Sequence, residues 1–274
     1  ALAKGQLDTA DNQFKRSIDL LSDADLREPA RVFGHDPAAA SLGYSTISAW
    51  LLGYPDEARR RGKLAMARSA SIGIPQTLAN GLDLALTAEH LRGDAAAARP
   101  LADALEACIE KYGVEYDYSR PLAARNWLLL QSGDTGAAIA GMKRDIEKAQ
   151  KAGHGLFFPI MYNTLAEACL AAGLVAEGLG AISSAMERIQ GGERVLEAES
   201  WRLKGELLRA EDNNELAEQC FRTALTVAGE QSSLSLELRA ASSLARLHVD
   251  TALAPDATER LRVTLERFTE GFDT

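Results

Sequence analysis

Residues Trp50-Leu51-Leu52-Gly53-Tyr54-Pro55-Asp56-Glu57-Ala58 contain the pattern on which the chain is organised. A stretch rich in Ala and Leu ends at Gly53, a Pro-containing break follows, and a second stretch of the same kind begins. Glycine enters the left-handed backbone region without a Cβ penalty and so ends α-helices. Such glycines recur every twenty residues, at Gly53, Gly73, Gly93, Gly113, Gly133, Gly153 and Gly173. The spacing predicts a ladder of antiparallel helices of nearly equal length.

A second column of small residues supports this register. It recurs at intervals of 40, 40, 40, 39 and 40, at Ala58, Ala98, Ala138, Gly178, Ala217 and Ala257. We expect a small side chain there to let the second helix of each pair approach the first closely. Past Gly173 the glycines lapse, but Gly192, Asn213 and Ser233 keep the spacing within one residue. Asn also tolerates the left-handed region. The repeating unit is therefore helix, tight turn, helix and looser turn.

The beginning of the chain departs from this repeat. Residues Ala1–Gly5 look like the last turn of a helix, without an initiator Met, so we expect the chain to be a piece of a larger protein. The first complete helix is predicted from Leu7 to Leu21, and an irregular link leads to Pro37. Asp36 before Pro37 is typical of a helix start, because an N-cap carboxylate precedes proline at the first helical position.

Together these elements predict an all-α fold in a single domain over residues 1–274. It comprises an opening helix and irregular link over residues 1–36 and six helix pairs over residues 37–274, about thirteen helices in all. Helix pairs stacked in this way are expected to form a right-handed α-solenoid of antiparallel helix pairs with a concave groove.

Composition narrows the functions that the chain can have. Lys and Arg number 30 and Asp and Glu 39, and the net charge of -9 argues against a general nucleic-acid binder. Three widely spaced cysteines without a CxxC pair fit a reduced, cytoplasmic setting. No apolar run is long enough to span a bilayer, so we expect no membrane partner.

One repeat unit resembles a tetratricopeptide repeat. The resemblance rests on the spacing of Trp201, Lys204, Gly205, Leu208, Ala217, Phe221 and Ala224, which aligns with the W-x₂-L-G-x₂-Y…A-x₃-F pattern. Lys204 and Leu208 depart from it, and Gly229 stands where the usual proline would be. The period of forty residues also exceeds the usual 34 or so. The other units keep only the small-residue and apolar columns.

Several longer phrases resemble the C-terminal helical-repeat region of large bacterial adenylate cyclase-type signalling proteins. They are Phe33-Gly-His-Asp-Pro37, Trp50-Leu-Leu-Gly-Tyr-Pro-Asp-Glu-Ala58, Trp201-Arg-Leu-Lys-Gly-Glu-Leu-Leu208, Ser235-Leu-Glu-Leu-Arg-Ala-Ala-Ser-Ser-Leu-Ala-Arg-Leu247 and Phe268-Thr-Glu-Gly-Phe-Asp-Thr274. Members of that family place a class III cyclase domain first, then an AAA-like (STAND) signal-transduction ATPase, then this array. The resemblance implies an attached ATPase or cyclase. Similar arrays also follow the ATPase in transcriptional regulators.

No motif for chemistry accompanies this architecture. A phosphate-binding loop needs G-x-x-x-x-G-K-[ST], but Leu64 follows Gly62-Lys63 inside a predicted helix. The histidines are too scattered for a metal site, and His35 beside Asp36 has no second ligand at a helical spacing. We predict no catalytic residue, metal ligand or cofactor. The basic run Arg59–Lys63 indicates either a solvated outer face or contact with an anionic partner.

Binding residues are predicted on the first helix of each pair, which lines the concave surface in tetratricopeptide-type arrays. Counting back 13, 10, 6 and 3 residues from each turn gives the inner column. Its candidate binding residues are Asn80, Asp83, Thr87, His90, Arg120, Trp127, Asn163, Glu167, Arg202, Glu206, Arg209, Arg239 and Arg246. Trp127 fits either the solenoid core or a binding platform.

The last two units of this column contain four arginines but only two carboxylates, Glu199 and Glu206. This imbalance predicts an anionic protein or peptide partner, because Arg presents a fork of donors. Alternatively, Glu206 only pairs with Arg202 or Arg209 along one helix.

We therefore expect a non-catalytic sensing module that binds a protein, peptide or small effector and regulates its own attached ATPase or cyclase. A purely structural array that docks intramolecularly is the alternative. We also expect weak self-association through an end or edge of the array.

Overall fold

The computed structural model describes residues 1–21, 36–114, 119–151, 157–249 and 251–272. These residues form thirteen α-helices and no strand, which confirms the predicted all-α fold. The helices are α1 (Leu7–Leu21), α2 (Pro37–Leu51), α3 (Pro55–Ile72), α4 (Pro75–Arg92), α5 (Ala95–Tyr112), α6 (Ser119–Gln131), α7 (Thr135–Lys151), α8 (Phe158–Ala171), α9 (Val175–Gln190), α10 (Glu197–Ala210), α11 (Asn214–Glu230), α12 (Leu234–His248) and α13 (Ala254–Glu266). Short 3₁₀ turns cover Leu2–Lys4 and Arg194–Leu196.

Six helix pairs follow α1, and the second helix of each packs on the first. The first helices of successive pairs, α2, α4, α6, α8, α10 and α12, also contact one another in chain order. They form the inner layer of a solenoid-like array, and the second helices lie outside them. The handedness of the array stays a prediction.

The turns follow the glycine spacing. Positive φ angles occur at Gly53, Gly73, Gly93, Gly113, Gly133, Gly173 and Gly192, whereas Gly153 lies outside the described residues. The expectation for Asn213 was wrong, because the left-handed residues are Asp212 (φ 59) and Ser232 (φ 57). Asn213 and Ser233 are instead the N-cap residues of the helices that follow. The turn residue therefore comes one position earlier than predicted.

The small-residue column lies where paired helices touch, as predicted. All six of its members are buried. A Cβ atom on Gly178 of α9 would come within 3.3 Å of Cys169 on the paired helix α8, and within 2.6 Å of the Leu207 side chain on the following helix α10. The tetratricopeptide-like unit shows the same packing, since a Cβ on Gly205 would lie 2.5 Å from the Phe221 ring. Close helix approach therefore depends on these positions.

The start of the regular array is also as predicted. Helix α1 has the expected bounds, and Asp36 is the N-cap of α2, where its Oδ1 accepts a hydrogen bond from Ala38 N at 3.0 Å. The irregular link and His35 lie outside the described residues. Leu2 and Leu7 are buried, so the rest of the chain covers these residues at its beginning. Self-association through this end stays a prediction.

The last helix pair returns to the first. The Ser233 hydroxyl donates a hydrogen bond to the Leu51 carbonyl at 3.3 Å, and the Ser235 hydroxyl donates to the Trp50 carbonyl. These acceptors are in the last turn of α2, where carbonyl groups lack partners within the helix. Helix α12 therefore satisfies the end of α2 across the array.

Residues after α13 add a second contact between the ends. Glu270 Oε1 accepts hydrogen bonds from the backbone N–H groups of Asp56 and Glu57, each at 2.9 Å. In return, the Gly271 N–H donates to Asp56 Oδ2 at 2.9 Å. We call these two groups of contacts, α12 on α2 and residues 270–271 on α3, the seam. The seam joins the first and last pairs of the array.

Candidate functional site

The structure buries most of the predicted inner column. Asp83, Thr87, His90, Arg120, Trp127, Asn163 and Glu206 are buried; Asn80, Glu167, Arg202 and Arg239 are half-buried; only Arg209 and Arg246 are exposed. The predicted positions do face the inside of the array. The expectation that they line an open groove was wrong for most of them, because the inside is filled by contacts between helices of the same chain.

One part of this interior lies between α2, α4, α6 and α8. Arg120 donates through Nε to Asp83 Oδ2 at 3.1 Å and through Nη2 to the same atom, so a buried ion pair joins α6 to α4. The Arg120 guanidinium also lies 4.9 Å from the centre of the Phe157 ring and 5.6 Å from that of Tyr44. Tyr44 and Phe157 stack at 6.4 Å. Because Tyr44 is on α2 and Phe157 precedes α8, this stack crosses the array.

His90 and Trp127 are core residues. Their ring centres are 4.9 Å apart, and both side chains are buried. Burial, followed by the nearby positive charge of Arg239, lowers the pKa of His90 to about 3. The imidazole is therefore neutral at physiological pH. His90 Nδ1 has no hydrogen-bond partner among the described residues.

Glu199 is the centre of a charged cluster at the start of α10. It accepts hydrogen bonds from Arg202 Nε at 2.9 Å and Nη2 at 2.8 Å, and from Arg239 Nη1 at 3.2 Å. Burial alone would raise the pKa of Glu199, but the charges of Arg202 and Arg239 lower it to about 2. Arg239 also donates to the Leu91 carbonyl and lies 5.1 Å from the Trp50 ring centre. It thereby links α12 to α4 and α2.

Glu206 is the second carboxylate of the cluster. It accepts hydrogen bonds from the Ser243 hydroxyl at 2.6 Å, Arg246 Nη2 at 2.9 Å and Arg209 Nε at 3.0 Å, and Arg202 Nη1 lies at 3.6 Å. Pairing along one helix, the alternative considered from the sequence, is therefore present. It is extended by Arg246 and Ser243 from the neighbouring helix. Each of the four arginines contacts a carboxylate, and the two carboxylates balance two of the four positive charges.

Two further predicted residues flank this cluster. Asn163 Oδ1 accepts a hydrogen bond from the Ser200 hydroxyl at 2.8 Å, which joins α8 to α10. Burial, together with the charge of Glu199, raises the pKa of Glu167. Asn80 is half-buried on α4. The structure therefore divides the predicted column into separate groups of helix-joining contacts.

Sequence reasoning missed some interior residues. Trp50 lies three residues before Gly53, the same register that gave His90, so extending the count by one unit would have found it. Tyr44 and Phe157 have no such signal, because their contact exists only when distant helices meet. The basic run was also misassigned in part. Arg61 is buried, where it pairs with Asp11 and, at 2.7 Å, with Glu57.

Surface cavities are found between helix pairs. One of them, of about 470 Å³, lies between α4, α5, α6 and α7. Leu105, Ile109 and Leu129 contribute apolar surface to it, and Arg125 and Glu106 approach within 3.4 Å at its edge. None of the predicted binding residues lines this cavity.

Fold and interior together define the class of protein: an all-α, solenoid-like array of six helix pairs in which most of the predicted inner column is buried. No protein-family model matches the chain, and no curated protein matches it. Within the described ranges, no three His, Cys, Asp or Glu side chains are grouped so that they could hold a metal ion. The described helices also include none with the length and apolarity needed to cross a bilayer.

Proposed function

We propose that the chain is a non-catalytic interaction module of a larger signalling protein. In this role it is a scaffold that contacts an attached ATPase or adenylate cyclase module mainly through its outer helices. The observation that carries the proposal is the inner cluster in which Glu199 and Glu206 neutralise arginines from two helices. The same scaffold would serve an ATP-dependent transcriptional regulator, the related alternative.

The energetics of the inner column favour a scaffold over a peptide groove. A peptide that entered the column would have to separate Arg202 and Arg239 from Glu199. Removing one partner of a buried ion pair costs about 3–5 kcal/mol. A ligand would have to offset that loss before gaining any affinity. Outer surfaces carry no comparable cost, so we assign partner contacts to them.

Hydrogen exchange of the chain with and without the purified ATPase module of its parent protein tests this proposal. We expect new protection on outer helices, such as α3, α5 and α7, and little change at inner helices α4, α6 and α8. Protection confined to α4, α6 and α8 would contradict the scaffold assignment.

The non-catalytic part of the proposal has a separate test. The purified chain, supplied with ATP and Mg²⁺ or Mn²⁺, should form neither cyclic nucleotide nor free phosphate. Turnover that survives repurification would show that it is an enzyme. An outcome with no turnover but no binding either would leave the chain non-catalytic and refute its role as an interaction module.

A further inference from the structure

The exposed end of the inner column differs from the rest of it. We infer that Arg209 and Arg246 form a binding site for a carboxylate group in an acidic segment of a partner protein. The inference deepens the proposed function, on which it rests, by naming a surface that remains open when the interior is closed. It concerns only the two column arginines that the array does not cover.

A shared anchor holds these two arginines in place. Arg209 on α10 and Arg246 on α12 contact opposite oxygens of Glu206, at 3.0 Å through Nε and at 2.9 Å through Nη2. The Glu206 side chain is only 6% exposed, and the Ser243 hydroxyl holds it at 2.6 Å. The guanidinium groups are therefore positioned before any partner arrives, which reduces the entropy lost on binding.

The charge balance at this end is positive. Among the described residues, Glu206 is the only carboxylate within 4.0 Å of Arg209 or Arg246. Burial would raise the pKa of Glu206, but its hydrogen bonds from Ser243, Arg246 and Arg209 outweigh this and lower it. Glu206 is therefore ionised, and two guanidinium charges face one carboxylate. A positive surface on a chain of net charge -9 favours an anionic partner.

The arginines also retain unused donor capacity. Arg202 engages Glu199 through two nitrogens, Nε and Nη2. By contrast, Arg209 uses only Nε and Arg246 only Nη2 in the contacts that the described residues provide. A guanidinium group has five N–H donors. With side chains 42% and 59% exposed, both arginines can turn further donors toward a ligand.

A carboxylate on a peptide fits these features best. Planar guanidinium groups match carboxylate geometry and bind it through paired hydrogen bonds. Val249, the C-cap residue of α12, follows Arg246 by three residues and is 67% exposed. It offers an apolar contact that a free inorganic anion could not use. We therefore assign the site to an acidic peptide segment with an apolar residue beside its carboxylate.

The experiment is a fluorescence anisotropy titration with a fluorescein-labelled peptide of alternating Glu and Val. The test variant is Arg209→Gln with Arg246→Gln. The matched control is Arg222→Gln with Arg262→Gln, which removes two exposed arginines that are paired with carboxylates elsewhere on the surface. Both variants change the net charge equally, so they separate a specific site from general attraction.

We expect the test variant to weaken binding by about tenfold to a hundredfold, since it removes charge-assisted hydrogen bonds from both guanidinium groups to the peptide carboxylates. The control should stay within about twofold, and Val249→Ser should weaken binding less than the arginine changes. Circular dichroism should show unchanged helicity in all variants, because the changed residues are exposed.

Three results would overturn the inference. The first is that the unsubstituted chain shows no saturable binding of the peptide. The second is that the test and control variants lose peptide affinity equally. The third is that inorganic phosphate competes as effectively as unlabelled peptide. The ATPase-module experiment distinguishes this failure from that of the proposed function. If the module binds the Arg209→Gln, Arg246→Gln variant normally, the scaffold stands without this site. If the peptide binds but the module does not, the site stands and the scaffold role fails.

Discussion

Replacing Glu199 by alanine tests how the array is held together. The change leaves Arg202 and Arg239, which now contact Glu199 at 2.8 Å and 3.2 Å, as two like charges beside the buried His90. Breaking a buried ion pair costs about 3–5 kcal/mol. The pKa of Glu199, lowered from 4.5 to about 2, independently corresponds to roughly 3 kcal/mol, at about 1.4 kcal/mol per pKa unit. Because Arg239 is only half-buried, we expect the lower value, about 3 kcal/mol.

Urea unfolding followed by circular dichroism measures this loss. The matched control is Glu259→Ala, because Glu259 and Arg262 form an exposed pair with the same i,i+3 spacing. Exposed pairs of this kind contribute about 0.5 kcal/mol or less. Adding Arg202→Met to Glu199→Ala should recover part of the stability, since it removes the uncompensated charge. The reasoning is refuted if Glu199→Ala costs less than about 1 kcal/mol, or no more than the control.

Three further predictions concern packing, pH and thiol reactivity. Gly205→Ala should destabilise the protein by about 1–3 kcal/mol, because the new Cβ would lie 2.5 Å from the Phe221 ring. Gly180→Ala is the control: its Cβ would have no neighbour within 4 Å, so the change should be neutral or stabilising by up to about 1 kcal/mol. The midpoints of urea unfolding measure both effects. The pKa of His90 is lowered from 6.5 to about 3, so as the pH drops below 6.5 the unfolded chain binds a proton at His90 before the folded chain does, and the free energy of unfolding should fall. In His90→Gln, the free energy of unfolding should change less between pH 6.5 and 5. An unchanged slope would contradict a buried, neutral His90. Burial, and then the charge of Glu177, raises the pKa of Cys169 to about 12, so iodoacetamide at pH 8 should leave Cys169 unmodified in the native protein but alkylate it in urea, as mass spectrometry of the digested protein would show.

The sequence was informative wherever structure is determined locally. A glycine such as Gly93 ends its helix through its own backbone conformation. Asp36 caps α2 by accepting a hydrogen bond from the backbone N–H of Ala38, only two residues away. These features need no knowledge of distant parts of the chain, so the helices and their pairing were predictable. The register of the inner column was predictable too, because helical periodicity decides which side of α4 carries Asp83 and His90.

Whether the side chains of the inner column are buried or exposed was not predictable from the sequence. Whether Arg239 faces solvent or donates to the Leu91 carbonyl depends on how far six successive pairs rotate about the array. Each rotation is set by packing details that the repeat pattern does not resolve. The stacking of Tyr44 on Phe157 depends on the same accumulated rotation between helix pairs. Local patterns thus predicted the positions of the candidate residues but not their burial.

The seam has a mechanical consequence. An open helical-repeat array behaves as a soft spring, since small rotations between neighbouring units lengthen it without breaking any one interface. Here Glu270 and Gly271 are fastened to the start of α3, and Ser235 to the end of α2. A force that pulled the first and last pairs apart would have to break these hydrogen bonds before it could rotate neighbouring helix pairs against one another. The array should therefore be stiff up to a threshold force and compliant above it.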